Sequence, residues 1–490
     1  MKKFTLLCFC TVFLSYSACL ASQPLTAYAT EPQQDITEVR RSMAVSSNEI
    51  PGWPQGPTIG SECAVLMDAD TGAILYAKNM DLQKYPASIT KVLTCLVAAE
   101  HCSLDEMVTF SKEAVFGIDP GSSNCGLDVG QSFTMEEALY CILLNSANEV
   151  SAAVAEHVSG SVSEFCKLMN ERAKELGCTG THFANANGLP NEEHMTTAHD
   201  MALICRAFNA NDTLRHIASS KSYTVNATAT QPDTFTIYNH HKMFPGFKYE
   251  YEYFTWGKTG YTVAARSTLV TCAEKNGLNL ICVVMKAEPP NHFLDTRELF
   301  EYGFNNFTRC NIAENETRFQ MDSADFFNAD SDIFGSTQPL LALSPDGYCI
   351  LPLGAEFSDL EPEVSYEDVE ENAVAKVTYT YSGNYVGETG VILTDSDMAP
   401  FEFGVTVSGN DSSSREKPEV SGNTAGFHNP DVVYLNMGRI FLIGGITLGG
   451  IILILIIIAI VRNHRFSTNR KRRLKKKSRK YFSEFDDFDF

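Results

Sequence analysis

Ser88 and Lys91 are separated by two residues in the stretch YPASITKVLTCLV, residues 85–97. Pro86 before the serine and the apolar residues after it predict that Ser88 lies in the first turn of a buried helix, residues 88–100. Side chains three residues apart share one face of a helix, so the lysine amine can reach the serine hydroxyl. Burying a lysine is costly unless it is neutral, and a neutral amine can deprotonate a serine nucleophile.

The same spacing also fits a capping serine followed by a solvated lysine. A second copy of the pattern occurs in SREK, Ser414 to Lys417, within a polar segment that has no helical periodicity. Nothing in such a segment would hold the two side chains together, so we dismiss that copy. The spacing alone therefore does not establish a catalytic pair, and further motifs are needed.

Two further motifs lie downstream of Ser88. The tripeptide KTG, which begins at Lys258, occurs once in the chain, where a strand is predicted to begin. The pattern SxN occurs seven times, but only two copies fall between Ser88 and Lys258. The copy at Ser122–Asn124 lies in the glycine-rich loop DPGSSNCG, with nothing to fix it. The copy at Ser146–Asn148 interrupts the apolar run ALYCILLNSANEVSAAVAEHV, where polar groups need partners, and we select it.

The elements around these motifs are predicted to be helices enclosed by strands. The runs AVLM and AILY flank the turn DADTG, and two β-rich runs flank Lys275-Asn276-Gly277, so both pairs predict hairpins. Helical patterns cover residues 88–100, 134–158 and 162–176. Strands at both ends of a segment with helices between them predict an α/β (α+β) domain whose terminal strands share one antiparallel sheet.

Both ends of the chain carry apolar segments that predict targeting and anchoring. Residues 1–29 begin with MKK, continue into FTLLCFCTVFL and end at the small-residue site AYA, which predicts a cleaved secretory signal. Residues 440–461 contain no charged residue and are long enough to span a bilayer as one transmembrane helix. Basic residues crowd residues 462–490, so we expect this tail in the cytoplasm and the preceding domains outside the cell membrane.

The segments between these ends differ in composition. Residues 30–55 form an N-terminal extension, and residues 56–308 carry the three motifs. Residues 309–408 contain β-branched and aromatic runs such as AVAKVTYTY, which predict a small all-β domain. Residues 409–439 are polar without an apolar pattern, and we expect them to form a flexible linker to the membrane.

The predicted outer part of the chain is strongly acidic. Without the predicted signal and tail, 25 basic residues remain against 56 acidic ones, a net charge of about −31. This charge argues against nucleic acids and anionic polymers as partners. Twelve of the fifteen cysteines lie in this part, and none shows the spacing of a zinc site, so we expect no metal and no other cofactor. An even number of cysteines permits disulfides without demonstrating one.

In this order, SITK, SAN and KTG resemble the SxxK, SxN and KTG motifs of penicillin-recognising serine enzymes. The context resembles the low-molecular-mass penicillin-binding proteins, the serine D-alanyl-D-alanine carboxypeptidases. The matching stretches are TGAILYAKNMDLQKYPASITKVLT, HFANANGLPNEEHMTTAHDMALI and GKTGYTVAARSTLVTCAEKNGLNLICVVM. The resemblance covers roughly residues 60–308. It implies a transpeptidase/β-lactamase-like domain followed by a small all-β domain.

The resemblance also implies a role for each matching residue. Ser88 would attack the carbonyl carbon of the penultimate D-alanine and form an acyl-enzyme, with Lys91 as general base. Ser146 would relay the proton to the leaving amine, and Asn148 would hold the peptide chain. Lys258 would keep Lys91 neutral through its positive charge.

The KTG motif and a later arginine are expected to bind the substrate. Thr259 would orient it together with the preceding lysine, and Gly260 would let it lie close to the strand backbone. The backbone N–H groups of Tyr261 and Ser88 would form the oxyanion hole. Arg297, in FLDTRE, would meet the terminal carboxylate of the substrate.

The chain also departs from the pattern of related enzymes. Where many members have His-Gly-Leu, it has Asn187-Gly188-Leu189, which leaves the role of this loop open. A class A β-lactamase would have a glutamate followed by x-x-L-N before KTG, whereas Glu192 and Glu193 precede HMTT. Efficient β-lactam hydrolysis is therefore disfavoured.

Three functions are compatible with these features. The favoured one is a membrane-anchored carboxypeptidase that acts on peptidoglycan stem peptides and is acylated by β-lactams. The second is a receptor for β-lactams or wall fragments that signals through the membrane span. The third is a silent wall-binding protein, which the intact SITK, SAN and KTG motifs argue against.

Overall fold

A computed structural model of the chain describes residues 35–119, 121–318, 341–367, 369 and 372–393. These residues all belong to one unit, within residues 1–400. The predicted signal, linker, membrane span and basic tail lie outside the described residues. Among the helices that are described, none has the length and apolar character needed to cross a membrane.

The first domain combines strands and helices in the order expected from the sequence. Its described strands are β1 (Cys63–Asp68), β2 (Ile74–Lys78), β3 (Met107–Thr109), β4 (Ser132–Thr134), β5 (Ser222–Val225), β6 (Phe235–Tyr238), β7 (Phe254–Thr262), β8 (Arg266–Lys275) and β9 (Leu278–Ala287). Its described α-helices are α1 (Ile36–Arg41), α2 (Lys91–His101), α3 (Lys112–Phe116), α4 (Met135–Leu144), α5 (Asn148–Ser159), α6 (Val162–Glu175), α7 (Ala198–Asn209), α8 (Asp212–Ala218) and α9 (Asn291–Asn306).

Five of these strands form the central antiparallel sheet, in the order β2-β1-β9-β8-β7. Strands from both ends of the domain thus share one sheet, as predicted. The two predicted hairpins are confirmed. In the turn between β8 and β9, Asn276 and Gly277 have φ values of 53° and 80°. Two positive φ values at a two-residue turn match the twist of the strands that it joins.

The central sheet is covered on both faces. Alternate side chains of β1 point in opposite directions, so Val65 packs among the helices α2, α4, α5 and α7, whereas Leu66 packs on the α9 side. The whole of β1 is buried for this reason. The two faces therefore have separate roles: the α2 face carries Ser88, and the α9 face forms a second core.

The helix predicted over residues 134–158 is instead two helices, α4 and α5, separated by residues 145–147. Ser146 in this break has a φ of 59°, and the Ala147 N–H donates to the Cys141 carbonyl (3.2 Å). In an unbroken helix, residues two apart would point about 200° apart, away from a common site. Because of the break, Ser146 reaches Lys258 and Asn148 reaches Lys91. The apolar periodicity of the sequence does not reveal that these contacts require a break in the helix.

The other two predicted helices are present with adjusted ends. Residues Ala87–Thr90 form a 3₁₀ turn, and α2 begins only at Lys91, so Ser88 lies in the 3₁₀ turn and not in the α-helix. Helix α6 lies where predicted, and its N-cap Ser161 accepts a hydrogen bond from the Glu164 N–H (3.2 Å).

A second sheet follows the first domain, and its β-rich character is as predicted. Its described strands and α-helix are β10 (Phe307–Asn311), α10 (Ile312–Asn315), β11 (Leu341–Leu343), β12 (Tyr348–Pro352), β13 (Glu361–Ser365), β14 (Ala373–Tyr381) and β15 (Asn384–Leu393). The strand order is β10-β12-β15-β14-β13, with β11 paired to β15. Trp53 joins the two domains, because its indole N–H donates to the Leu75 carbonyl (2.8 Å) while its ring packs against Phe307 and Tyr381.

Candidate active site

Lys91 is fully buried, and three oxygen atoms surround its amine. Nζ lies 3.0 Å from Ser88 Oγ, 2.7 Å from Asn148 Oδ1 and 2.5 Å from the Asn187 backbone oxygen. The last two are carbonyl oxygens, which can only accept hydrogen bonds. A neutral amine has two hydrogens for these carbonyls and one lone pair, which is left for the Ser88 hydroxyl. This is the geometry of a general base next to its nucleophile.

The electrostatics of the site agree with a neutral amine at Lys91. Burial holds the pKa of the Lys91 amine well below its ordinary value, and the positive charge of Lys258 lowers that pKa further. The expected influence of Lys258 is thus present, but burial is the larger cause.

A short chain of hydrogen bonds holds the backbone of the turn that carries Ser88. The Thr90 hydroxyl donates to the Ala87 carbonyl (2.9 Å) and lies 2.9 Å from His194 Nε2. His194 Nδ1 accepts the Ala184 N–H (3.0 Å), so its proton is on Nε2, which donates to Thr90. Burial lowers the pKa of His194 to about 3, which keeps the ring neutral. The sequence carried no signal for His194, because its partners are distant in the chain.

Two glycines let neighbouring segments press against the backbone at Ser88. Gly188 has a φ of 85°, and a Cβ added there would overlap the Ala87 carbonyl. A Cβ added at Gly260 would lie 2.8 Å from the Ser88 nitrogen and would overlap the Thr268 hydroxyl. Only glycine fits at either position, and strand β7 therefore runs close beside the Ser88 N–H.

Lys258 and Ser146 form the second amine–hydroxyl pair of the site. Lys258 Nζ donates to Ser146 Oγ (3.0 Å) and to the Thr259 carbonyl (2.8 Å). Both side chains are buried, and burial lowers the pKa of Lys258 to about 7. Because Ser146 Oγ accepts from Lys258, its own hydrogen can be donated elsewhere. The pair is thus arranged to pass a proton.

We expect the acylation rate to have a bell-shaped pH profile. Acylation needs Lys91 neutral and Lys258 charged, so the rate falls below the depressed pKa of Lys91 and falls again as pH rises through about 7, where Lys258 loses its proton. In Lys258→Arg the alkaline limb should move beyond pH 9, because arginine keeps its charge. Second-order acylation rates with benzylpenicillin between pH 5 and 9 measure this. A wild-type rate that stays level from pH 6 to 9 would contradict the assignment.

The remaining residues of the KTG segment lie on an edge strand. Strand β7 is an edge strand of the central sheet, and the side chain of its residue Tyr261 is 54% exposed. An edge strand has unpaired N–H and C=O groups on its outer side, so an extended peptide can pair with it. Thr259, Gly260 and Tyr261 are therefore placed where a substrate backbone could lie.

Arg297 is not brought to this site, which corrects the placement expected from the sequence. It is exposed on α9, and its guanidinium lies 5.9 Å from the centre of the Tyr251 ring. Helix α9 packs on one face of the central sheet, and α2 with Ser88 lies on the other. The position of Arg297 in the sequence could not reveal which face its helix would cover.

The SxN copy that we set aside lies next to the selected copy. The Asn148 N–H donates to the Ser123 carbonyl (2.9 Å), and the Cys125 N–H donates to Glu149 Oε1 (2.5 Å). The loop around residues 121–126 therefore supports the start of α5. Its contribution is through backbone groups and not through the Ser122 and Asn124 side chains.

One group of described side chains has the geometry to hold a metal ion. The ligand atoms of Cys102, Glu106 and His157 lie within 4.8 Å of one another, and His157 Nε2 is hydrogen-bonded to Glu106 Oε2 (2.9 Å). Cys102 follows the last residue of α2, whereas Lys91 begins that helix. The group therefore takes no part in the arrangement around Ser88.

The twelve cysteines of the described residues are free thiols.

The fold and the two lysine–serine pairs define a serine acyl-transfer enzyme. A family model described as peptidase S11, D-alanyl-D-alanine carboxypeptidase, matches residues 51–289. The chain belongs to this family, whose members include low-molecular-mass penicillin-binding proteins, and by membership it is a serine D-Ala-D-Ala carboxypeptidase.

Individual relatives agree with this membership. The D-alanyl-D-alanine carboxypeptidase DacF of Bacillus subtilis is 33% identical over 47% of this chain, and the match spans only 58% of that relative. DacD of Escherichia coli is 30% identical over 55% of this chain and 70% of its own length. The crystal structure of penicillin binding protein 6B from Escherichia coli superposes with a TM-score of 0.52 at 26% identity, covering 70% of this chain and 98% of that one.

Proposed function

We propose that this protein is a membrane-anchored carboxypeptidase that removes the terminal D-alanine from peptidoglycan pentapeptide stems. The observation that carries the proposal is the Lys91 amine, held by two carbonyl oxygens with its lone pair left for Ser88 Oγ at 3.0 Å. The carboxypeptidase relatives support the choice of a D-Ala-D-Ala peptide as substrate.

In the proposed reaction, Ser88 Oγ attacks the carbonyl carbon of the penultimate D-alanine while Lys91 takes the hydroxyl proton. The N–H groups of Ser88 and Tyr261 stabilise the oxyanion, because β7 runs beside the Ser88 nitrogen. Ser146 passes the proton to the leaving amine of the terminal D-alanine. Water then hydrolyses the ester, and Ser88 regains its proton. A β-lactam would acylate the same oxygen.

The positively charged amine of Lys258 would bind the carboxylate of the terminal D-alanine. The expected partner for that carboxylate, Arg297, lies on the other side of the sheet. Lys258, with Thr259 beside it, is a cationic group that the described residues place next to Ser146.

The proposed location is the cell membrane, with the catalytic domain outside and the tail in the cytoplasm. The uncharged residues 440–461 and the basic residues after them support this orientation. Protease treatment of intact spheroplasts tests this orientation. Digestion of the tail without lysis would show that the tail is outside the cell and would contradict the proposal.

Ser88→Ala is expected to abolish both labelling by a fluorescent penicillin and release of D-alanine from diacetyl-Lys-D-Ala-D-Ala, because no other nucleophile lies against Lys91 in the described site. The full-length protein in detergent is the sample. Ser122→Ala, in the loop copy of SxN, is the control and should keep labelling within about twofold, since its side chain contributes no contact to Lys91. Undiminished labelling of Ser88→Ala would contradict the assignment of Ser88 as the nucleophile.

The same assay separates the alternative functions. A receptor that signals through the membrane span would be acylated by penicillin at Ser88 without releasing D-alanine from the peptide or from native muropeptides. A silent wall-binding protein would neither be labelled nor release D-alanine.

A further inference from the structure

The ligand atoms of Cys102, Glu106 and His157 come together at the far end of two helices that also carry active-site residues. Helix α2 begins at Lys91 and α5 begins at Asn148, and Lys91 Nζ lies 2.7 Å from Asn148 Oδ1. At the other end, Cys102 is the C-cap of α2, and His157 lies in the last turn of α5. The two helices therefore run side by side in the same direction, over about 14–16 Å from the active site to this group.

Glu106 is held in place between these two helix ends by hydrogen bonds. Its Oε1 accepts the Ser103 N–H (2.7 Å), while its Oε2 lies 2.9 Å from His157 Nε2. Its backbone oxygen accepts the N–H of Met135, the first residue of α4 (2.8 Å). Hydrogen bonds to the other atoms of a ligand orient it at metal sites, and these bonds direct Oε2 towards the imidazole in that way.

We propose that Cys102 Sγ, Glu106 Oε2 and His157 Nε2 bind one zinc ion, with water as the fourth ligand, and that this ion fastens the C-terminal ends of α2 and α5 together. A thiolate and an imidazole favour zinc over the harder magnesium and calcium ions. When zinc binds, Cys102 releases its thiol proton to solvent, and His157 keeps one ring proton on Nδ1. The C-terminal ends of two parallel helices also concentrate partial negative charge, which favours a cation there.

The spacing of the ligand atoms is close to what tetrahedral zinc requires. All three atoms lie within 4.8 Å of one another, and zinc bonds of about 2.0–2.3 Å place tetrahedral ligands about 3.4–3.6 Å apart. The 2.9 Å contact between Nε2 and Oε2 would open by about half an ångström. The side chains of His157 and Glu106 are 25% and 42% exposed, so an ion can enter from solvent. The sequence did not indicate this group, because 51 residues separate Glu106 from His157.

Equilibrium dialysis of the reduced full-length protein in detergent against Zn²⁺ tests the site. We expect one bound ion per chain with a Kd that excess Ca²⁺ leaves unchanged, because calcium prefers oxygen ligands. Cys102→Ser, Glu106→Gln and His157→Gln should each raise this Kd by about tenfold or more, since losing even a group that orients a ligand costs that much. Cys178→Ser changes another half-buried thiol, just after α6, and should keep the wild-type Kd.

Two further measurements follow the thiol and the helices. Co²⁺ bound in place of zinc should give the near-ultraviolet absorption band of a cobalt–thiolate bond, and Cys102→Ser should abolish this band. Zn²⁺ at about ten times its Kd should slow hydrogen exchange about tenfold at the backbone amides in the last turns of α2 and α5. Helix α9, on the other face of the central sheet, should exchange at an unchanged rate.

These results distinguish a metal site from a simple ion pair of His157 with Glu106. If the wild type binds no zinc, or if the three ligand variants keep its Kd, the site is refuted. If zinc binds through these ligands but exchange at both helix ends is unchanged, the fastening of the helices is refuted. If circular dichroism shows that Cys102→Ser does not fold, Glu106→Gln and His157→Gln, at partly exposed positions, decide the proposal.

Discussion

Replacing Lys91 by arginine is expected to slow acylation of Ser88 by about 10²- to 10⁴-fold, the range typical of a lost general base. A guanidinium has no available lone pair and keeps its proton at any pH tolerated by the protein. The two carbonyls of Asn148 and Asn187 would accept its N–H groups, but Ser88 would have no base. The second-order rate with a fluorescent penicillin measures the effect.

Two further variants make this result interpretable. Lys167→Arg, on the exposed surface of α6 and paired with Glu164, should acylate within about twofold of wild type. Lys91→Met fills the same space without burying a charge, so it should fold while also losing acylation. An arginine variant that is acylated within tenfold of the wild-type rate would show that Lys91 is not the base.

Gly188→Ala is expected to lower the free energy of unfolding by about 2–4 kcal/mol and to slow acylation more than tenfold. The new Cβ would overlap the Ala87 carbonyl, so the loop must move away from the 3₁₀ turn that carries Ser88. That movement would also take the Asn187 carbonyl away from Lys91. Urea unfolding and the penicillin acylation rate measure the two effects.

Gly277→Ala is the matched control for this substitution. Gly277 has a φ of 80°, close to that of Gly188, but a Cβ there meets no atom within 4 Å. Its cost should be only the backbone strain of about 1–2 kcal/mol, with an unchanged acylation rate. If the two variants behaved alike, the close approach at Ala87 would not be what requires glycine at position 188.

The parts of the fold that depend on local pattern could be predicted from the sequence. The β8–β9 hairpin follows from Asn276-Gly277, and α6 follows from its apolar periodicity. The candidate nucleophile and base could be selected because SITK, SAN and KTG occur in one order. In each case the deciding information lies within a few residues, or in the order of short motifs.

The parts that depend on tertiary contacts could not be predicted in this way. The break between α4 and α5 exists because Lys91 and Lys258, distant in the chain, supply partners for Asn148 and Ser146. Arg297 was misplaced because a helix pattern does not say which face of a sheet it covers. The position of His194 at the site was not predicted, because only the folded structure shows its hydrogen bond to Thr90.

The contact between Lys91 and the Asn187 carbonyl makes one part of the proposed active site independent of side-chain identity. Every amino acid would present a backbone oxygen at position 187, so this contact does not itself require asparagine. Scanning mutagenesis would overlook the contact, and an alignment could show a variable column at a position that touches the base. What evolution must preserve there is the path of the main chain, which the neighbouring glycine secures.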